Sequence, residues 1–335
     1  MNVTVKDVAR EAGVSVATVS RVLNGSDAVT EKSAQRVREA VVKLGYSPNF
    51  LGRNLRKRAT NVILVIIPNA DHSLYMKICA GMQACALRYG YDIITAVSNA
   101  ATAVETRHLN MLFNKTVDGA VLMGTSFDAG TLNRLAEEYD IALCCEGVTG
   151  ADVLTVTVDD ERAGYDAADA LIKLGHRRLG FIGVESNALS ASLREEGFLR
   201  ALGDHGIELP EEYIYRDTYD AVNGAKAMER FLALAEPPTA VFAVSDLIAL
   251  SAVRRAAELG CMAGKDISVI GFDDIDACSL TTPSLSTVAQ NCSEMSEVVC
   301  RKLIENIKSE RKDRGYYTVE HRVMMRESTG VLNKK

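Results

Sequence analysis

"VKDVAREAGVSVATVSRVLNG", residues 5–25, holds two short segments that are each apolar at helical spacing and that meet at a glycine. Val5, Val8, Ala9 and Ala12 recur on one helix face, Thr4 stands where an N-cap belongs, and Asp7 is a carboxylate able to reach back to it. Gly13 is the expected stop. Ser15 can cap a second helix whose buried face is Val19, Val22 and Leu23, which leaves Val16, Ala17, Ser20 and Arg21 together on the other side. Neither segment is long enough to be stable alone, so a partner is needed. "TEKSAQRVREAVVKLGY", residues 30–46, supplies one, with Thr30 as cap, Val37, Ala40, Val41 and Leu44 as inward stripe, and Gly45 as stop.

The exposed face of the second helix suits DNA. Small Val16 and Ala17 allow close approach to base edges and thymine methyl groups, Arg21 can make a paired contact to guanine, and Thr18, Ser20 and Asn24 can hold phosphates. A helix-turn-helix with residues 15–24 as recognition helix is the reading this favours, and a plain helical hairpin is its rival, because helix-glycine-helix is a common arrangement. Charge adds weight to the first. The chain of 335 residues carries a net charge of -6, but residues 1–60 alone balance at +6 and the rest at -12. A basic head on an acidic body points to a polyanion partner.

"SPNFLGRNLRKRATN", residues 47–61, reads either as a basic linker or as a helix started by Pro48, with Leu51 and Leu55 on one face and Arg53, Arg56, Lys57 and Arg58 nearby. Beyond it the pattern alternates between apolar runs and amphipathic stretches. "NVILVIIP", "YDIITAVS", "GAVLMGT" and "ALCCE" read as strands separated by helices, and the alternation restarts at "AGYDAADALIKLGH". This predicts two parallel sheets covered on both faces.

No dinucleotide fingerprint, phosphate loop, nucleophile elbow or zinc-protease helix follows any strand, so no catalytic residue and no cofactor is expected. The eight cysteines contain no C-x-x-C and have no histidine at ligand spacing, so they are expected as buried reduced thiols with no metal. Cys144 and Cys145 are neighbours in an expected strand, which would point their thiols to opposite faces. Four of the five histidines read as structural or surface groups. His72 is the exception, in a loop after the C-terminal end of a strand. No apolar run reaches membrane-spanning length and the N-terminus lacks the order of a secretory signal, so a cytoplasmic location with no membrane partner is expected.

"VTVKDVAREAGVSVATVSRVLNG", "VTEKSAQRVREAVVKLGYSPN" and "LGRNLR" resemble the headpiece and hinge of the LacI/GalR family of bacterial transcription regulators. "TVDDERAGYDAADALIKLGHRRLGFIG", "REEGFLRAL", "ISVIGFDDI", "TTPSLSTVAQ" and "MRESTG" resemble its periplasmic-binding-protein-like core. The resemblance implies a small all-α helix-turn-helix head over 1–47, a hinge helix and linker over 48–60, and an α/β core over 61–335. It divides the core into an N-subdomain (about 61–160 and 291–320) and a C-subdomain (about 161–290 and 321–335). It implies Val16, Ala17 and Arg21 as base readers, with Thr4, Ser15, Thr18, Ser20, Asn24, Tyr46 and Asn49 at or near the backbone. Leu55 would be a minor-groove wedge contributed by a hinge helix that pairs with its copy in a homodimer. Gly52 stands where alanine is common in the family, and weakens that helix.

For the core, the resemblance implies a ligand cleft between subdomains lined by Asn69, His72, Tyr75, Glu146, Arg194, Ser245, Asp273 and Gln290. Arg194 and Asp273 are expected to face each other across it as a donor–acceptor clamp, with a plain structural salt bridge as the alternative. Ser245 replaces the usual Asn, Ser73 and Leu74 replace a frequent Pro-Phe, and Glu146-Gly147 replaces a frequent Asp-Arg. The implied partners are double-stranded operator DNA and a small-molecule effector. With one arginine in the set, the effector is expected to be a sugar or sugar derivative, with a nucleoside or purine stacking on Tyr75 as the alternative. A solute-binding protein is the rival function; it would need a signal peptide and no basic head.

Overall fold

The computed structural model describes residues 3–23, 28–46, 59–186 and 188–332. The chain divides into residues 1–60 and 61–335.

In the first unit, α1 (Val5–Ala12), α2 (Val16–Leu23) and α3 (Glu31–Leu44) share one small core. Val8, Ala9, Ala12, Val19, Val37 and Ala40 are buried in it, with Val22, Leu23, Val41, Leu44 and Tyr46 packed around them. The Asp7 carboxylate accepts hydrogen bonds from the Thr4 hydroxyl at 2.6 Å and the Thr4 amide at 3.0 Å. The turn between α1 and α2 requires Gly13, whose φ is +60°. A Cβ there would also stand 2.4 Å from the Arg36 guanidinium. Asn24, Asn49, Leu55 and the segment 47–58 lie outside the described residues.

The second unit holds two six-stranded sheets. The first is built from β1 (Val62–Ile67), β2 (Asp92–Val97), β3 (Gly119–Leu122), β4 (Ile141–Cys144), β5 (Leu154–Val158) and β11 (Tyr316–Val319), in the order β11-β5-β4-β3-β1-β2. The second is built from β6 (Leu179–Val184), β7 (Ile214–Asp217), β8 (Ala240–Ala243), β9 (Ser268–Asp273), β10 (Ser286–Gln290) and β12 (His321–Met324), in the order β12-β10-β9-β8-β6-β7. All pairings are parallel except that of β12 with β10. Central strands such as β3, β6 and β9 are buried at every residue because helices cover both faces, which is why they read as apolar runs rather than alternating ones.

The first sheet carries α4 (Ser73–Arg88), α5 (Thr102–Phe113) and α6 (Ala129–Glu138). The second carries α7 (Asp160–Lys173), α8 (Leu189–Asp204), α9 (Ala221–Leu232), α10 (Asp246–Glu258) and the short α11 (Ala277–Leu280). The chain passes between sheets after Val158, after Gln290 and after Val319, and α12 (Cys292–Lys308) returns to pack on α4. Strand order reverses between β1 and β3 and between β6 and β8. Ligands in such sheets bind outside the carboxyl ends of the strands at this reversal.

One packing detail positions the site. A Cβ on Gly197 of α8 would lie 1.9 Å from the Glu161 carbonyl, and one on Gly164 of α7 would lie 2.2 Å from the Arg194 carbonyl. Only glycines let these two backbones touch, and the contact sets the first turn of α7 against the middle of α8.

The expectation that Cys144 and Cys145 point to opposite faces is overturned. The strand ends at Cys144, and Cys145 takes a left-handed conformation with φ +67°, which turns its side chain back so that the two Sγ atoms lie 3.9 Å apart. Strand alternation no longer applies once the chain leaves the pleat. All eight cysteines are free thiols, six of them buried and Cys261 and Cys292 half-buried. Among the described residues no group of three His, Cys, Asp or Glu side chains could hold a metal ion, and no helix is long and apolar enough to cross a membrane.

Candidate functional site

On the head, the Ser15 Oγ accepts the Thr18 amide at 3.0 Å and so caps α2, while its hydroxyl lies 2.9 Å from that of Thr18. Ser15 and Thr18 therefore hold each other at the start of the helix. Val19 is buried against α1 and α3, and Val16, Ala17, Ser20 and Arg21 are exposed together on the outer face. That face combines two small side chains, a hydroxyl and a guanidinium, which is the set a major groove can accept. Tyr46 packs half-buried on the head's own core, and Thr4 is engaged with Asp7, whose carboxyl that hydroxyl holds below its usual range.

In the second unit, most of the expected cleft residues converge at the carboxyl ends of the strands. Glu146 follows β4, Ser245 follows β8, Asp273 ends β9 and Gln290 ends β10, while His72 and Tyr75 start α4 after β1. Asn69 follows β1 as well; it is exposed, and its side-chain oxygen accepts the Asp71 amide at 2.7 Å within its own loop.

Arg194 and Asp273 do not face each other across a cleft. Arg194 lies on α8 and Asp273 on β9, both belonging to the second sheet, and their nearest charged atoms are 3.9 Å apart. The Arg194 Nε instead donates to Asp160 at 2.8 Å, its Nη1 donates to the Val244 carbonyl at 2.8 Å, and its guanidinium lies 3.5 Å over the Phe272 ring. The physical reason is the α7–α8 glycine contact, which brings the Asp160 carboxylate within reach of Arg194. Burial pushes the Asp160 carboxyl up to about 6, against the pull of Arg194. Burial, aided by the Asp273 charge, pushes the neighbouring Asp246 up to about 7. The Asp246 carboxylate accepts from the Thr287 hydroxyl at 2.5 Å and the Ile275 amide at 2.9 Å. Ser245 is fully buried and caps α10.

The floor carries acceptors with no hydrogen-bond partner among the described residues. The Gln290 amide donates through Nε2 to Asp273 Oδ1 at 2.7 Å, which fixes its orientation and leaves Oε1 buried and unpartnered. Asp273 is 3% exposed and its Oδ2 takes no hydrogen bond; His72 Nε2 approaches it to 3.5 Å without hydrogen-bond geometry, and His72 Nδ1 is also unpartnered. Asp273 and Asp274 both have positive φ, +116° and +54°, a strained backbone of the kind that collects at binding sites. The Tyr75 ring lies 5.0 Å from that of His72, centroid to centroid, and burial raises the Tyr75 hydroxyl well above the phenol range. Tyr219 is 46% exposed, yet its hydroxyl stands near Asp273, Arg194 and Ser245, and desolvation raises it too.

Side chains of the first sheet meet those of the second around this floor. The Glu146 carboxylate accepts from the Ser190 amide at 2.9 Å and the Ser190 hydroxyl at 2.5 Å, which places a negative charge at the N-terminus of α8. Lys77 of α4 pairs with Asp276 at 2.7 Å and donates to the Asp274 carbonyl at 3.2 Å. Sequence reading missed Asp160, Ser190, Tyr219, Lys77 and Asp276. Only Asp160 had a signal, since it sits in "TVDDERAG" at a crossing between the sheets.

Residues 4–49 match the family described as bacterial regulatory proteins, lacI family, and residues 168–329 match a periplasmic binding protein-like domain. The chain is 34% identical to the HTH-type transcriptional regulator RegA of Clostridium saccharobutylicum, over 98% of this chain and 100% of that one. It is 28% identical, with a TM-score of 0.74, to the structure of a transcriptional regulator CelR–cellobiose complex, covering 98% of this chain and 100% of that one. The lac repressor dimer bound to operator and the anti-inducer ONPF shares the fold at a TM-score of 0.87 and 23% identity, over 98% and 99% of the two chains.

Proposed function

The chain belongs to the lacI family of bacterial regulatory proteins and is a DNA-binding transcription regulator, and from that premise we propose that it is a homodimeric repressor whose hold on operator DNA is set by a small molecule in the cleft. Each head reads one half of a pseudo-palindromic operator through Val16, Ala17 and Arg21, and the hinge pair, with Leu55 as wedge, bends the centre. The effector is a carbohydrate or carbohydrate derivative. The observation that carries this is the pair of buried, unpartnered acceptors on the floor, Asp273 Oδ2 and Gln290 Oε1. Leaving such atoms unsatisfied costs about 1–3 kcal/mol each, and a ligand rich in N–H or O–H donors removes that cost only when bound.

Binding shifts the population between cleft geometries, and the shift can be no larger than the ligand's preference for one of them. The contacts between sheets, Glu146 with Ser190 and Lys77 with Asp276, are those such a shift makes or breaks. A nucleoside effector is the second reading, favoured by the His72–Tyr75 ring pair. The test is a mobility-shift assay on an operator selected from random duplexes, repeated with sugars, sugar phosphates and nucleosides. Asp273→Ala, which removes the unpartnered floor acceptor, should still shift operator and ignore every effector; a normal response in that variant rejects the cleft as the control site. Leu55→Ala should reduce bending in a phasing gel without loss of the folded head.

A further inference from the structure

We infer that the effector presents an amino group, seated with one N–H on Asp273 Oδ2 and another on Gln290 Oε1. This rests on the effector reading above and narrows it. The two acceptors belong to one hydrogen-bonded pair, because Gln290 Nε2 donates to Asp273 Oδ1 at 2.7 Å and each group keeps its second oxygen free of a partner among the described residues. Asp273 is 3% and Gln290 7% exposed, and neither free oxygen finds a donor among the described residues.

The cations at the floor and the Ser190 donors are already committed. Arg194 is engaged by Asp160 and the Val244 carbonyl, Lys77 by Asp276 and Asp274, and the Ser190 hydroxyl and amide by Glu146. The nearby formal charges are Asp273, Asp160, Asp246, Asp274, Asp276 and Glu146 against Arg194, Lys77 and Arg326, the last paired with Asp274 at 2.6 Å. A phosphate or carboxylate would meet acceptors and negative field there. A carbonyl at the same point would meet two lone-pair faces. A nitrogen carrying two hydrogens satisfies both oxygens from one atom, which hydroxyl groups do only in pairs.

Two kinds of molecule carry that chemistry, a basic amine on a sugar ring and the exocyclic amine of a nucleobase. Matched pairs separate them and test the whole idea. On the full-length wild-type chain, calorimetry compares glucosamine, galactosamine and mannosamine each with its parent hexose, and cytidine with uridine and adenosine with inosine, where an amino group becomes an oxo group. The amino member of at least one pair should bind about 100-fold or more tighter than its partner, since a buried site built for N–H rejects analogues that lack it. The hexosamine arm identifies the sugar amine and the nucleoside arm the base amine.

Asp273→Asn exchanges one acceptor for a donor, so the preference should collapse or invert in favour of the oxo or hydroxyl partner. A role for Asp273 in folding alone would leave the ratio between partners unchanged. Equal binding within every pair, or tighter binding of sugar phosphates or nucleotides, overturns the inference and leaves the effector reading standing. Binding of none of these compounds, together with operator binding that no sugar or nucleoside alters, overturns both.

Discussion

On α2, Val16, Ala17, Ser20 and Arg21 sit within six residues of sequence, and all four lie at the surface of a head whose core is six buried side chains. In the core unit, Arg194, Asp160, Asp273 and Gln290 come from segments up to 130 residues apart and are at most 7% exposed. The first region leaves charge and hydroxyl groups in water, where they cost little until DNA arrives. The second removes several carboxylates from water around one guanidinium, and is held by mutual pairing and by hydrogen bonds from backbone and neutral side chains. Substitutions in the first should therefore change binding and spare stability, whereas those in the second should change both.

The sharpest way to break this contrast is Arg194→Ala. It leaves Asp160 and Asp273 buried without their cation, so the core should lose about 3–5 kcal/mol in urea unfolding while the head still binds DNA. A loss below about 1 kcal/mol would show that the cluster is hydrated and not a buried pair. Next is the dependence on pH. Asp160 and Asp246 titrate above their ordinary range in the folded core, at about 6 and about 7. The folded state therefore binds more protons than the unfolded chain between about pH 4 and pH 7, and core stability should fall as pH rises through that window. Asp246→Asn should flatten the fall, and an unchanged slope would locate the effect elsewhere.

Arg21→Ala tests the other side. Operator binding should weaken by about 1–3 kcal/mol at one position per half-site, with effector affinity and the unfolding midpoint unchanged. Equal weakening on every sequence would make Arg21 a phosphate contact. The smallest expected effect is at the join between sheets. Ser190→Ala removes one hydroxyl from the Glu146 carboxylate and should change effector affinity by about 1–2 kcal/mol while operator affinity without effector moves less. Should the two move together, the Glu146–Ser190 contact belongs to the resting regulator and not to the bound one.

The head was legible because every signal in it is local. A cap, a glycine stop and a 3-4 apolar repeat are each decided within one or two turns, and Thr4, Gly13 and Ser15 sit in the structure where those rules put them. Residues 187 and 47–58 and the side chains they would place are outside the described chain, so the hinge stays with the sequence reading. In the core, the apolar runs announced the strands, whereas the cleft came from the family resemblance. Glu146, Ser245, Asp273 and Gln290 came from the family resemblance and stand at strand ends in the structure, and Asn69, from the same source, follows β1 with its side chain accepting the Asp71 amide.

The sequence by itself determined the exposed face of small residues on α2, the basic head, and the alternation that makes two parallel sheets, because periodicity and capping are properties of neighbours along the chain. Only the tertiary structure decided that Arg194 belongs to Asp160 and not to a clamp with Asp273, that Cys144 and Cys145 turn toward each other, and that Glu146 meets Ser190. Those outcomes depend on which backbones approach closely enough, as at Gly164 and Gly197, and on where a left-handed residue takes the chain out of its strand. Partners brought together across 34 to 50 residues compete for the same donor, and distance in space, which no local pattern encodes, settles the competition.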